Sequence, residues 1–218
     1  MQEPFDPKSD TPEIRRRRGG RPTAEQAGNV DRRILDAATD LFLRLGFDAT
    51  SCDQVVTQAG AGKASLYARY ANKEELFEAV VRRMMDRTPV QPSDVPWHLS
   101  LHERLQAVGH SLLAQALDTE TVALMRVLMT VANRMPQLAG LNDQIWRNGG
   151  IESVARAIVG RDAAPEAIKN ALPDARLFID LVLVPQQMRA LLGGDPAELQ
   201  AEGAQTIDQV IDRLFRSG

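Results

Sequence analysis

The chain has 218 residues, a formal net charge of −3, 44% hydrophobic and 25% charged residues. That length allows one large domain or two smaller ones with real cores, and the charge balance excludes binding to polyanions through overall basicity. Cys52 is the only cysteine, so no internal disulfide can form, as suits a reducing cytoplasm.

Two further absences narrow the class. The opening MQEPFDPKSD lacks the apolar core of a signal peptide. The longest apolar run, Leu181 to Val184, is far shorter than a membrane span. Only 5% of residues are aromatic, β-branched runs are scarce, and Ala, Leu and Arg are the commonest residues, a bias toward helix. A cytoplasmic, all-α protein without a membrane partner is expected.

In chain order, residues 1–29 carry Pro, Gly, Arg and polar side chains with almost no apolar periodicity, and read as a disordered arm. Arg15, Arg16, Arg17, Arg18 and Arg21 make it the one concentrated positive block. A first helix is predicted from Asp31 to Leu45 on the stripe Ile34, Leu35, Ala38, Leu41, Phe42 and Leu45, and Gly46 closes it. Ser51 with Gln54 three residues on spells a capping box for a second helix, Cys52 to Ala59. Gly60-Ala61-Gly62 turns into a short third helix from Lys63 to about Tyr70. Asn72 and Glu75 repeat the capping pattern ahead of a fourth helix with Leu76, Phe77, Val80, Val81 and Met84 inward.

TPVQPSDVP, residues 88–96, holds three prolines and cannot be a regular helix. It marks a domain boundary between units at 30–87 and 97–218. Beyond it, stripes at Leu101, Leu105, Val108, Leu112 and Leu113, and at Val122, Met125, Leu128 and Met129, predict two helices. A long helix over 138–159 follows, weakened at Gly149-Gly150. A short helix from Pro165 and two long ones over 174–192 and 196–215 complete a C-terminal bundle.

The first three helices have the order of a helix-turn-helix unit behind a basic arm. The stretches ILDAATDLFLRLGFDATS and QAGAGKASLYARYANKEELF, with GGRPT upstream, resemble the TetR family of bacterial transcriptional regulators, and RMPQLAG is similar to its AcrR/AefR-like branches. The resemblance implies an all-helical homodimer with a three-helix DNA-binding unit, a linking fourth helix and a regulatory bundle. It also implies that a small-molecule effector in the bundle respaces the two heads and releases a double-stranded DNA operator. The sequence departs from the family pattern at two places. Gly62 stands where Ser is common, which removes a side-chain cap, and Arg69 stands where an aromatic is common.

The third helix is too short to be stable alone, so Leu66 and Tyr70 are expected to pack it onto the first two. Lys63, Ala64, Ser65, Tyr67 and Arg69 then face outward. Lys63 suits a guanine or a phosphate, Ala64 a thymine methyl, and Tyr67 a phosphate. Tyr70 joins the candidate DNA contacts, although core packing is its bland alternative. The helix starts at Ser51 and Lys73 suit phosphates. The arm arginines supply a salt-dependent share, with Arg21 placed for a minor groove.

Met125, Met129, Trp146, Phe178 and Met188 are candidate effector contacts, since Met suits adaptable pockets; ordinary core packing fits them too. Ile179, Leu183, Leu191, Val210 and Leu214 are candidates for a four-helix dimer seam. His98 and His102 have the spacing of a metal pair, but nothing completes a site. Cys52 reads as a small filler rather than a redox sensor. With no Walker-type loop, no Gly-x-Ser-x-Gly elbow and no nucleophile system, neither an enzyme nor a cofactor is expected. The alternatives to a ligand-released repressor are a ligand-independent DNA-binding regulator and a helical protein-interaction adaptor.

Overall fold

The computed structural model describes residues 24–86, 95–138 and 150–215. Among them are nine helices and no strand. They are α1 (Ala24–Leu45), α2 (Cys52–Ala59), α3 (Lys63–Tyr67), α4 (Lys73–Asp86), α5 (Leu101–Ala116), α6 (Thr119–Val131), α7 (Glu152–Val159), α8 (Pro165–Leu191) and α9 (Pro196–Phe215). The protein is all-α, as its composition predicts. The arginines of the arm, the 87–94 stretch and Trp146 lie outside the described residues.

The first core forms where the amphipathic faces of α1, α2 and α4 meet. Phe42, Phe47 and Phe77 sit at its centre with ring centroids 4.9 to 5.8 Å apart, a spacing at which edge-to-face pairs are attractive. Gly46 leaves α1 at φ 84° and Gly60 leaves α2 at φ 57°, left-handed geometry that a side chain disfavours.

One further helix reaches this core from across the proline-rich stretch. Leu124, Val127, Leu128 and Val131 of α6, with Met135 and Leu138 just beyond it, are buried in this core, where α6 packs on α1. Val122, near the start of α6, is buried in the second core instead. α6, which follows the expected boundary at 88–96 in sequence, thus packs into the core of the helices that precede it. The predicted stripe Val122, Met125, Leu128 and Met129 is shifted accordingly. Met125 is half-buried and Met129 exposed, because α6 packs on two cores rather than one.

The second core lies among α5, α7, α8 and α9. It depends on two close helix crossings. A Cβ on Gly203 would lie 2.5 Å from Leu113 Cδ2, and one on Gly109 would lie 3.0 Å from Phe178 Cζ. Gly203→Ala is thus expected to overpack the α5–α9 crossing and to cost about 1 kcal/mol or more. A thermal melt should show Tm falling by about 2–4 °C per kcal/mol; an unchanged Tm would mean that Leu113 yields freely.

Besides α3, which ends at Tyr67 rather than about Tyr70, two boundaries differ from the sequence reading. α1 begins at Ala24, inside the stretch expected as a 1–29 arm. Ala24, Glu25, Gln26 and Ala27 favour helix, and Gly28 costs only about 1 kcal/mol against alanine. The second difference is α8, which runs unbroken through Pro173 and Pro185 where two helices were expected. Each proline costs a helix interior about 3 kcal/mol. Burial of Phe178, Ile179, Val182 and Leu183, at about 1.5–3 kcal/mol each, offsets both.

Candidate nucleic-acid interface

The turn between α2 and α3 is built from local chemistry. Ser51 Oγ accepts from the Gln54 N–H at 3.2 Å, and Gln54 Oε1 accepts from the Ser51 N–H at 2.7 Å. This reciprocal pair satisfies two amides at the start of α2. The Ala61 N–H returns to the Val56 carbonyl at 2.9 Å and closes the turn.

α3 is a five-residue helix held by its neighbours. Leu66 is fully buried. Tyr70, just beyond it, is half-buried and donates its hydroxyl to Asp31 Oδ1 on α1 at 2.9 Å. Burial first, and then this bond to a carboxylate, push the Tyr70 hydroxyl well above the usual phenol range. It anchors the helix to α1. Arg69 also turns toward α1, with Nη1 donating to the Ser65 carbonyl at 2.6 Å and Nε 3.4 Å from Asp31 Oδ1.

What α3 presents outward is Lys63, Ala64 and Tyr67, with Ser65 half-buried beside them. Lys63 Nζ lies 2.8 Å from Asp53 Oδ1 on α2 and 2.9 Å from Oδ2. That hydrogen bond, and then the carboxylate's charge, raise the ammonium above the usual lysine range, so it stays charged. Tyr67 is 51% exposed. Cys52, by charge and then by hydrogen bond, pushes the Tyr67 hydroxyl above the usual phenol range, so it remains a protonated donor. Gly62 precedes α3 at φ −84°, ψ 148° and gives no side-chain cap.

An uncapped N-terminus at extended backbone invites a test. A serine fits that backbone, and a Cβ at Gly62 meets nothing within 4 Å. Gly62→Ser is expected to stabilise α3 by a few tenths of a kcal/mol. Amide exchange at Ser65 and Leu66 should slow; unchanged exchange there would show that packing alone sets the helix.

The other expected contacts divide. Ser51 sits exposed at the start of α2. The Lys73 ammonium is held by the Phe47 and Thr50 carbonyls at 3.0 and 3.1 Å and lies 4.3 Å from the Phe47 ring centroid. It ties α4 to the α1–α2 loop, with its charge turned onto carbonyls of that loop. Sequence reasoning missed Asp53, Asp31 and Asp48, the carboxylates that hold Lys63, Arg69 and Arg134. Their spacings in sequence are too irregular to betray the pairs.

The four effector candidates among the described residues do not gather. Phe178 is fully buried in the second core, Met129 and Met188 are exposed, and Met125 packs against the first core. A groove of about 330 Å³ is lined instead by Glu152, Arg156, Pro165, Ile168, Lys169 and Leu172. Among the described residues, no three His, Cys, Asp or Glu side chains gather as metal ligands, and no helix is long and apolar enough to cross a membrane.

Comparison with known families matches residues 34–80 to bacterial regulatory proteins of the tetR family. It matches residues 103–217, more than half the chain, to the C-terminal domain of AefR-like transcriptional repressors. The chain belongs to the TetR family. It is a transcriptional regulator with a DNA-binding helix-turn-helix, not an enzyme.

Among TetR-family relatives, the chain is 34% identical over 88 residues to the HTH-type regulator YhgD of Bacillus subtilis (strain 168), covering 37% of this chain and 46% of that one. It is 47% identical over 53 residues to the repressor ComR of Escherichia coli (strain K12), covering 24% and 25%. It is 37% identical over 71 residues to the activator FasR of Mycolicibacterium smegmatis (strain ATCC 700084 / mc(2)155), covering 32% and 31%. The chain thus spans less than half the length of these curated relatives. A solved regulator assigned to the TetR family, from Mesorhizobium loti MAFF303099, superposes with TM-score 0.69 at 24% identity, over 86% of this chain and 98% of that one. The Flavonoid-responsive Regulator FrrA gives 0.59 at 23% identity, over 85% and 97%. Both show the fold.

Proposed function

We propose that the protein is a cytoplasmic homodimeric repressor that occupies a palindromic operator and is released by a small-molecule effector. The outward face of α3 carries this reading: Leu66 is buried while Lys63, Ala64 and Tyr67 stand free of the core. A short helix shaped this way offers one cation, one small residue and one hydroxyl to a major groove.

The dimer reading rests on α8. Leu177, Leu181, Val184 and Met188 are 43%, 42%, 44% and 47% exposed, and their spacing of four, three and four puts them in one stripe. The inward stripe of the same helix holds Ile179 and Leu183, and Val210 of α9 is likewise buried. These were expected at the dimer seam, but they belong to the protomer's own core. A second copy of α8, laid across the outer stripe, covers it with a matching apolar surface.

Repression follows the AefR-like family description and the name of ComR, while FasR shows that an activator shares the head. Effector release is supported by the family and by FrrA's name. A salt-titrated gel shift on the DNA beside the protein's own gene tests the reading. The wild type should retain one duplex over a scrambled competitor by at least about 10³-fold. Equal retention of both would overturn it.

A further inference from the structure

We infer that Arg126, Arg134 and Asp48 are positioning residues that set the angle of the reading head against α8, and so the half-site spacing the dimer accepts. The inference rests on the dimeric reading above and adds the parts that hold the head in place.

Three observations converge on α6. Its lower half is buried in the head, through Leu124, Val127, Leu128 and Val131, followed by Met135 and Leu138. The head therefore moves with α6. At the α8 end, Arg126 donates from Nη2 to the Ala190 carbonyl at 2.7 Å and from Nε to the Leu191 carbonyl at 3.1 Å. These are carbonyls of the last turn of α8, at the negative end of its dipole, and the Ala190 carbonyl also accepts from the Gly193 N–H at 3.1 Å. At the other end, Arg134 meets Asp48 in the α1–α2 loop as a two-pronged pair, Nη1 to Oδ1 at 2.9 Å and Nη2 to Oδ2 at 3.0 Å. Its guanidinium lies 5.7 Å from the Phe47 ring centroid.

Arg126 lies within α6, and Arg134 lies in the turn three residues past its end at Val131. Between them they join the carboxyl end of the dimer helix to the loop that leads into α2 and α3. The Arg134–Asp48 pair is exposed on both sides, and such pairs add little stability. A fork against a carboxylate does fix orientation, which a single charge does not. That is the property a strut needs. Buried apolar contacts hold the head onto α6, and the two arginines remove its remaining freedom to rock.

Operator duplexes whose half-sites are moved apart one base pair at a time read this directly. Each step turns one half-site by about 35° and shifts it by about 3.4 Å. The wild type should show one sharp optimum. Arg134→Ala, Asp48→Ala and Arg126→Ala should each flatten the profile, cutting the penalty at one base pair off optimum by tenfold or more. Arg134→Lys should flatten it too, because it keeps the charge and loses the fork. The double exchange Asp48→Arg with Arg134→Asp should restore the peak. Tm and binding to a duplex with a single half-site should stay as in wild type. Spacing profiles that match wild type would overturn the inference. So would an equal loss on the single half-site, which would make Asp48 or Arg134 a DNA contact. A wild type that binds its operator but is indifferent to spacing would instead remove the dimeric reading, and the inference with it.

Discussion

Leu181→Glu is expected to leave the protein monomeric and to weaken operator binding by about 10²–10⁴-fold. Leu181 sits mid-stripe on the outer face of α8, between Leu177 and Val184. Its side chain is 42% exposed and belongs to neither core, so in the monomer a carboxylate there reaches water. In a dimer the same carboxylate meets its twin in an apolar seam, where desolvation and like-charge repulsion act together. Loss of the dimer turns two linked binding events into one. The linked second head acts at an effective concentration that adds about 10²–10⁴ in affinity. Sedimentation velocity and a gel shift on the same sample check both halves. A variant that stays dimeric places the seam elsewhere, and one that turns monomeric yet holds the operator removes the need for two heads.

Lys63→Ala is expected to lower operator affinity by about 10–100-fold, the range for one good base contact at about 1–3 kcal/mol. The ammonium is already committed to Asp53 at 2.8 Å, so a duplex must offer it a better acceptor or share it. This gives Asp53 the opposite sign. Asp53→Asn removes a negative charge from the DNA face and frees the ammonium for any phosphate. Binding to scrambled duplex should tighten, and the salt dependence should steepen by about 0.9 in log units per added phosphate contact. Gel shifts across a salt series on operator and scrambled DNA separate the two effects. If Asp53→Asn leaves scrambled binding alone, the carboxylate does not face the backbone.

How much of this was legible in the sequence depended on range. Helix α2 has the predicted bounds, and its capping box forms with the predicted partners, because Ser51 and Gln54 need only each other. The inward residues of α4 are the predicted five, since a helix buried on one side writes a single stripe. α8 is apolar on two sides, and periodicity cannot tell which faces the protomer, so Ile179 and Leu183 read as easily as seam as core. The break expected ahead of Asp174 is overridden by four buried side chains, and the helix runs through Pro173 as it does through Pro185. α6 misled in the same way, with Val122 serving one core and Leu124 to Val131 the other. At the site, Lys63, Ala64 and Tyr67 stand outward as the motif implied. Lys73 and Arg69 were cations by type, and only the fold shows them turned onto the Phe47 and Ser65 carbonyls.

The insertion of 124–138 into the first core bears on how such regulators can be recombined. Cut free at residue 86, the amino-terminal part would expose the apolar seat in which Val131, Met135 and Leu138 are buried. A bare patch of that kind invites aggregation. A chimera that borrows this head for another effector bundle must therefore carry the seat's occupant with it, as a graft in two pieces of chain.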